Sequence, residues 1–534
     1  MTYRVLVTDG IDRDGVALLE AEAELGVDEV PTLPAPALLE RVADYDAVVV
    51  RSATRISADV LRQARKLRVV GRAGVGVDNI ALDAATELGV AVINAPAGNT
   101  LAVAELFFGL VLALVRNIPR AAESMRAGRW ERAKLMGSEL NGKTLGIVGM
   151  GRIGGEVALR AHAFGMSVVG YDPYVTESRY AALRTRAAPT LDALLRESQV
   201  LTLHTPLTDE SRGLIGEREL ALLPPGAIVA NLARGGLIDD AALLAALQSG
   251  RLGGAVIDVF ATEPLPGDDP LRSAPNVLLT PHISASTAEA QRNVAVDVCA
   301  AVRDALLKGE LSRSVNAAWS GSQWGDIRPA LLVARRAAAV ARALLTDGAA
   351  QAVRRVTVQC GRDVAGARDL LLAAAALGTV ERVTEADRVN LINARALAEA
   401  RGIELAVGES AALPPSGVEV SVRGATEELT VAGTAPAGAA PRLTRVGAFH
   451  VDVNPRQTLI VLTNRDVPGV IGRVGTLLGA AGVNIAEYHQ ARLARGGEAL
   501  AVIAVDGAAD SDIRRRLLEL PDVKSAAVVS FRDE

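Results

Sequence analysis

The stretch "KTLGIVGMGRIGGEVA", residues 143–158, decides the fold. Up to Val148 it is an apolar, β-branched run of strand length, and beyond Gly151 it has the composition of a helix start. Between them Gly149, Gly151 and Gly154 stand in G-x-G-x-x-G spacing. The chain has 50 glycines, so spacing alone would say little; the flanking strand and helix give it meaning. Gly149 permits the tight turn, Gly151 lets the backbone approach a pyrophosphate, and Gly154 lets the helix pack closely on the strand. The free N–H groups of the helix start then face the anion. The next strand, "SVVGYDP", ends at Asp172. A carboxylate there accepts hydrogen bonds from both ribose hydroxyls and repels a 2′-phosphate, so NAD is expected over NADP.

Strands alternate with helices on both sides of this motif. Downstream lie "QVLTLHTP", "AIVANLARGG", "GAVIDVF" and "NVLLTPH", making with the first two a six-stranded doubly wound unit. Upstream, "YRVLVTDG", "DAVVVRS", "RVVGRAG" and "VAVINAP" repeat the rhythm, with segments such as "ISADVLRQARK" between them, and predict a second parallel sheet. One long helix, "STAEAQRNVAVDVCAAVRDALLKG", follows the last strand. Beyond about residue 316 come a helix, "PALLVARRAAAVARALL", then strands "VRRVTVQCG" and "GVEVSVRG", then a loose "AGTAPAGAAP" connection. The tail has the β-α-β-β-α-β order of a ferredoxin-like unit.

At 534 residues the chain exceeds what one core supports, so three or four domains are expected. Aromatics are only 3%, so the cores are built mainly from Ala, Val and Leu. A net charge of -5 without a basic block argues against nucleic acid or an anionic membrane as main partner. Cys299 and Cys360 cannot make a disulfide framework and belong to no CxxC or Cys/His cluster; no metal site is expected, and a reducing cytoplasm is the expected home. "MTYRVLVTDG" reads as strand and turn rather than a signal peptide. "LAVAELFFGLVLALV", residues 101–115, carries Glu105, is too short to span a bilayer, and is expected to be buried between domains or subunits.

Three polar residues follow predicted strands: Arg234 after "AIVANLA", Glu263 after "GAVIDVFAT" and His282 after "NVLLTP". In an open α/β sheet those ends line the ligand crevice. Oxidising a secondary alcohol removes a hydroxyl proton as hydride leaves the carbon. Histidine suits the proton transfer, with Glu263 fixing its tautomer. The Arg234 guanidinium suits a two-point grip on a substrate carboxylate and the polarisation of a developing carbonyl.

Together "GRAGVGVDNI", "WERAKLMGSELNGKTLGIVGMGRIG", "NLARGGLIDDAALLAAL", "DVFATEPL" and "TPHISASTAEAQ" resemble the D-isomer-specific 2-hydroxyacid dehydrogenase family, in its long form with a regulatory tail. The resemblance implies two Rossmann-like doubly wound domains, an α+β intervening domain and a ferredoxin-like ACT domain. Residues 1–97 and 284–316 would be the substrate-binding domain, 98–283 the NAD-binding domain, 317–452 the intervening domain and 453–534 the ACT domain. Arg234, Glu263 and His282 would be the catalytic triad. Arg152, Ile153, Asp172, Thr205, Leu232, Ala233 and Asp258 would join Gly149, Gly151 and Gly154 in holding NAD. The family's usual "PHLGAST" reads "PHISAST" here, so Ser284 replaces a glycine beside the nicotinamide.

Arginines at strand ends suit a phosphorylated three-carbon acid, and the resemblance implies NAD-dependent oxidation of 3-phosphoglycerate to 3-phosphohydroxypyruvate. Arg51, Ser52, Arg72, Gly74, Val75 and Asn99 would contact substrate, with Arg132 and Lys134 reaching over from a neighbouring subunit. Asn464, Asp466 and Asn484 match side chains that hold an effector in related ACT domains, with L-serine as the expected effector and a homotetramer as the expected assembly. Arg445 and Arg456 are candidates for an anion site in the intervening domain. Two alternatives stay open. One is a hydroxypyruvate or glyoxylate reductase, which shares the triad without needing a phosphate site. The other is a corepressor-type protein that only senses NAD.

Overall fold

The computed structural model describes residues 2–317, 324–345, 353–381, 389–455, 458–506, 509 and 511–529. Arg456 lies outside them. The first sheet is parallel, with strands β1 (Tyr3–Val7), β2 (Leu25–Glu29), β3 (Ala47–Val50), β4 (Val69–Arg72) and β5 (Ala91–Asn94) in the order β2-β1-β3-β4-β5. The strand β2, "LGVDE", is absent from the sequence-based expectation because it is short and half polar. The helix Ala288–Lys308 returns to this sheet from the far end of the next unit. Its Val294, Val298 and Val302 share a buried core with Val5, Val49 and Ile93. Contact is close: a Cβ on Gly71 would lie 2.6 Å from the Val302 side chain, and one on Gly15 2.6 Å from the Ala295 backbone. Val315 N–H then donates to the Val92 carbonyl at 2.7 Å, sewing the segment after the helix to β5.

The second sheet contains β6 (Thr144–Val148), β7 (Ser167–Tyr171), β8 (Arg186–Ala187), β9 (Val200–Leu203), β10 (Ala227–Asn231), β11 (Leu252–Ile257) and β12 (Val277–Leu279). Its order is β12-β11-β10-β9-β6-β7-β8, all parallel, so β6 sits where the winding direction reverses. Ligands bind at such a switch point, outside the carboxyl ends of the strands. Two apolar layers cover its faces, one built on the helix Thr100–Val115 and Ile147, the other on Leu201, Val229 and Leu243. The two-residue β8 makes seven strands where six were expected. Among the described residues no single helix is long and apolar enough to cross a membrane; Thr100–Val115 and Ile118–Arg126 pass such a test only as a pair bent by 62°.

A third, mixed sheet holds β13 (Arg355–Cys360), β14 (Glu404–Glu409), β15 (Gly417–Arg423), β16 (Glu428–Thr434), β17 (Arg442–Val446) and β18 (Phe449–Val453), in the order β14-β13-β15-β16-β17-β18. Only β13 and β14 run parallel. The fourth sheet, β19 (Thr458–Arg465), β20 (Ile485–Arg492), β21 (Glu498–Val505) and β22 (Val523–Val529), is antiparallel in the order β20-β21-β19-β22. With the helices Val470–Ala480 and Ser511–Leu518 this is the β-α-β-β-α-β unit. One face of it, through Leu459, Val461, Leu500 and Val502, joins the core of the third sheet. That third unit is tied to the first: Asn390 Nδ2 donates to the Gly89 carbonyl at 2.7 Å, and Ile392 is buried in the first sheet's core.

Candidate active site

The glycine turn is built as its spacing requires. Gly149 has φ +93°, in the left-handed region open to glycine, and its N–H donates to the Tyr171 carbonyl at 2.9 Å. Gly151 is the N-cap of the helix Arg152–Ala163, and nothing lies within 4 Å of where its Cβ would be, which leaves room for a ligand. Arg152 and Ile153 open that helix. A Cβ on Gly154 would stand 2.0 Å from the Gly149 carbonyl oxygen. Gly154→Ala is therefore expected to push the helix off the turn and weaken NADH binding at least about 100-fold, the loss of about two or three charge-assisted hydrogen bonds. Fluorescence titration with NADH checks this; binding near the wild-type level would refute the packing argument.

The Asp172 carboxylate is already fixed at two points. Oδ2 accepts from Met150 N–H at 2.8 Å and Oδ1 from Tyr174 N–H at 3.0 Å. Arg179, which the sequence gave no reason to single out, braces the same turn by donating to the Met150 and Gly151 carbonyls at 3.2 and 2.8 Å. Thr205 faces Gly149 with its hydroxyl buried and without a protein partner. An orphaned buried hydroxyl beside a glycine turn at a helix N-terminus fits a dinucleotide, whose phosphates supply the missing acceptors. Leu232 is buried, and Ala233 N–H is held by Asn231 Oδ1 at 3.1 Å. Asn231 Nδ2 also donates to the Arg234 carbonyl at 2.8 Å, so one buried amide fixes the turn that carries Arg234.

Arg234, Glu263 and His282 line one cleft of about 980 Å³. His282 Nδ1 and Glu263 Oε2 are 2.8 Å apart, while Glu263 Oε1 accepts from Phe260 N–H at 3.0 Å. The ionised carboxylate can only accept, so the imidazole carries its proton on Nδ1 and leaves Nε2 for the substrate. A second histidine, His204, ends β9 nearby. Burial pushes it down to about 3, and it packs edge-on against Phe107, so it stays a neutral core ring. Arg234 Nε donates to Asp78 Oδ2 at 3.0 Å across the cleft. Asp78 had no local signal in the sequence.

The opposite wall carries Arg51, Ser52, Arg72, Gly74, Val75 and Asn99, which line the same cleft. Asp9 positions this wall by accepting from Arg51 N–H at 2.8 Å and Thr54 N–H at 3.0 Å. Asn79 Nδ2 donates to the Arg51 and Thr54 carbonyls, and Asn94 Nδ2 to that of Val75 at 2.5 Å. Val75 thus contributes fixed backbone. Burial first, and then repulsion from Arg234, pulls the Arg72 guanidinium down to about 10; its Nε is buried without a partner. Asn99 Oδ1 is likewise buried and unpartnered. The wall is short of negative charge, which an anionic ligand would supply.

The remaining expected site residues stand as follows within one chain. Arg132 and Lys134 do not line this cleft; they lie on an exposed turn, with Lys134 paired to Glu131 at 2.9 Å. Asp258 accepts hydrogen bonds on both its oxygens from the segment 280–284. Asn464, Asp466 and Asn484 do not converge within one chain. Asn464 sits opposite Ala499, whereas Asn484 precedes β20, whose Ile485 pairs with Val505 at the other end of the sheet, roughly 20 Å away at 3.3 Å per residue. Asp466 accepts from Arg492 at 3.0 Å and Gly496 N–H at 3.1 Å, and Asn484 donates to Asp506 at 2.6 Å. Asn464 keeps a buried Oδ1 without a partner. In the third sheet Arg445 is paired with Glu419.

Residues 108–284 match the D-isomer specific 2-hydroxyacid dehydrogenase NAD binding domain, residues 343–447 the D-3-phosphoglycerate dehydrogenase intervening domain, and residues 458–522 the ACT domain. A D-3-phosphoglycerate dehydrogenase of Methanocaldococcus jannaschii is 38% identical over 99% of this chain and 100% of its own length. The chain belongs to the D-3-phosphoglycerate dehydrogenase family. The Bacillus subtilis member is 36% identical over 99% of this chain and 100% of its length. Among solved structures, an NAD+-bound 3-phosphoglycerate dehydrogenase of Entamoeba histolytica aligns with 59% of this chain and 99% of its own, at 27% identity and a TM-score of 0.51. Family membership makes the glycine turn of β6 the NAD site of a dehydrogenase and the fourth sheet an ACT domain.

Proposed function

We propose that this chain oxidises 3-phospho-D-glycerate to 3-phosphohydroxypyruvate with NAD, opening the phosphorylated route to L-serine. The observation that carries the reading is one cleft that joins the His282–Glu263 pair to Arg51, Arg72 and Arg234. NAD, when bound, supplies the acceptor for the hydride leaving C2. His282 takes the hydroxyl proton on Nε2, and Glu263 holds the tautomer and stabilises the charge that forms. Arg234 exchanges Asp78 for the substrate carboxylate and polarises the C2 oxygen. Arg51 and Arg72, with Ser52, Asn99 and the backbone of Gly74 and Val75, take the phosphate.

In this reading residues 1–97 and 284–316 form the substrate domain, 98–283 the NAD domain, 317–452 the intervening domain and 453–534 the ACT domain. The helix Ala288–Lys308 in the first sheet's core supports the discontinuous assignment. Closure about the crossings near residues 97–100 and 281–287 brings the two walls together. Arg132 and Lys134 would reach the cleft of a partner subunit, beside an exposed face that includes Trp130 and Met136, 80% and 89% exposed. L-serine would bind between the ACT domains of two subunits of a tetramer, which would join Asn464 and Asp466 of one copy to Asn484 of the next. The enzyme would work in the cytoplasm.

The test is absorbance of NADH on mixing with phosphohydroxypyruvate. A steady loss, slowed by L-serine, supports the reading. A flat trace would leave an NAD-binding protein only. Equal rates on unphosphorylated hydroxypyruvate would favour the reductase.

A further inference from the structure

His282 has φ +51°, a left-handed conformation that non-glycine residues adopt rarely and at a cost of about 1–2 kcal/mol. Both flanks of His282 are tied to one buried carboxylate, that of Asp258, which follows β11. Oδ1 accepts from the Thr280 hydroxyl at 2.6 Å and from Ile283 N–H at 2.9 Å. Oδ2 accepts from Ser284 N–H at 2.9 Å and from the Ser284 hydroxyl. These four donors come from both sides of His282. A carboxylate with no solvent exposure is tolerated only if donors replace its water, and those donors give it its place. The fourth exists only because residue 284 is a serine, itself buried.

We infer that Ser284 is a positioning residue for the acid–base chemistry: through Asp258 it fixes the loop that presents His282 to Glu263. The inference rests on the reading of His282 as the acid–base. Thr280 and Ser284 brace the two flanks of His282, so loosening either lets the ring swing from its 2.8 Å bond to Glu263.

The test compares Ser284→Ala and Thr280→Val with the wild-type enzyme by steady-state kinetics, NADH fluorescence titration and crystallography of the alanine variant. Each variant is expected to lose roughly tenfold in kcat, as for one charge-assisted hydrogen bond, with KM and the NADH Kd within about twofold. The Ser284→Ala structure is expected to show the His282–Glu263 bond broken or split between two ring positions. A kcat within about twofold of wild type in Ser284→Ala overturns the inference. So does a loss matched by weaker NADH binding, which would place the effect at the coenzyme and not at the His282 loop. An unmoved His282–Glu263 pair in the variant structure overturns it whatever the rates. Failure of the functional reading would appear elsewhere, as a wild-type enzyme inactive on phosphohydroxypyruvate.

Discussion

His282→Asn is expected to lower kcat roughly 10³-fold, within the ~10²–10⁴ that a positioned acid–base contributes, with the NADH Kd nearly unchanged. Asparagine is chosen because its Nδ2 can still donate to Glu263 Oε2, so the loop keeps its anchor. What it lacks is the second ring nitrogen, the acceptor that takes the hydroxyl proton in the proposed chemistry. The coenzyme turn at Gly149–Gly154 follows β6, whereas His282 follows β12. Single-turnover rates and NADH titration separate the two effects. If the variant turned over within about tenfold of wild type, the proton would have another acceptor and the proposed chemistry would fail.

The sequence made this half of the site legible because its signals are local. Three glycines, a strand and a helix within sixteen residues define the turn, and strand ends place Arg234, Glu263 and His282 on one rim. Strands β14 and β18 escaped, although "FHVDV" alternates cleanly, because an edge strand of a mixed sheet is short and half exposed. Asp78 escaped for another reason. It meets Arg234 from 156 positions away, across two domains, and a lone aspartate in a glycine-valine loop gives no hint of that. The loop contacts of Asp258 escaped because "DVF" reveals a strand end but not which donors reach it. Within one chain Arg132 lies on an exposed turn and Asn484 pairs with Asp506, and neither position has a local signal of what it meets.

The second large effect concerns Arg72. Its guanidinium is held down at about 10, first by burial and then by Arg234, while Nε has no partner. A base depressed in this way destabilises the folded protein at neutral pH, because folding must desolvate a charge that water would hold better. That stability returns as pH rises through the depressed value. Arg72 is therefore expected to serve a ligand and not the fold. A phosphate monoester carries about 1.5 to 2 negative charges at neutral pH and would supply the missing acceptors. Arg72→Gln is expected to raise KM for phosphohydroxypyruvate about 100-fold, two charge-assisted hydrogen bonds, and to change KM for unphosphorylated hydroxypyruvate far less. The same substitution is expected to raise Tm, since an uncompensated charge leaves the cleft wall. The pairing of the two results is the test. A lower Tm with equal losses on both substrates would mean that Arg72 props the wall and does not read the phosphate.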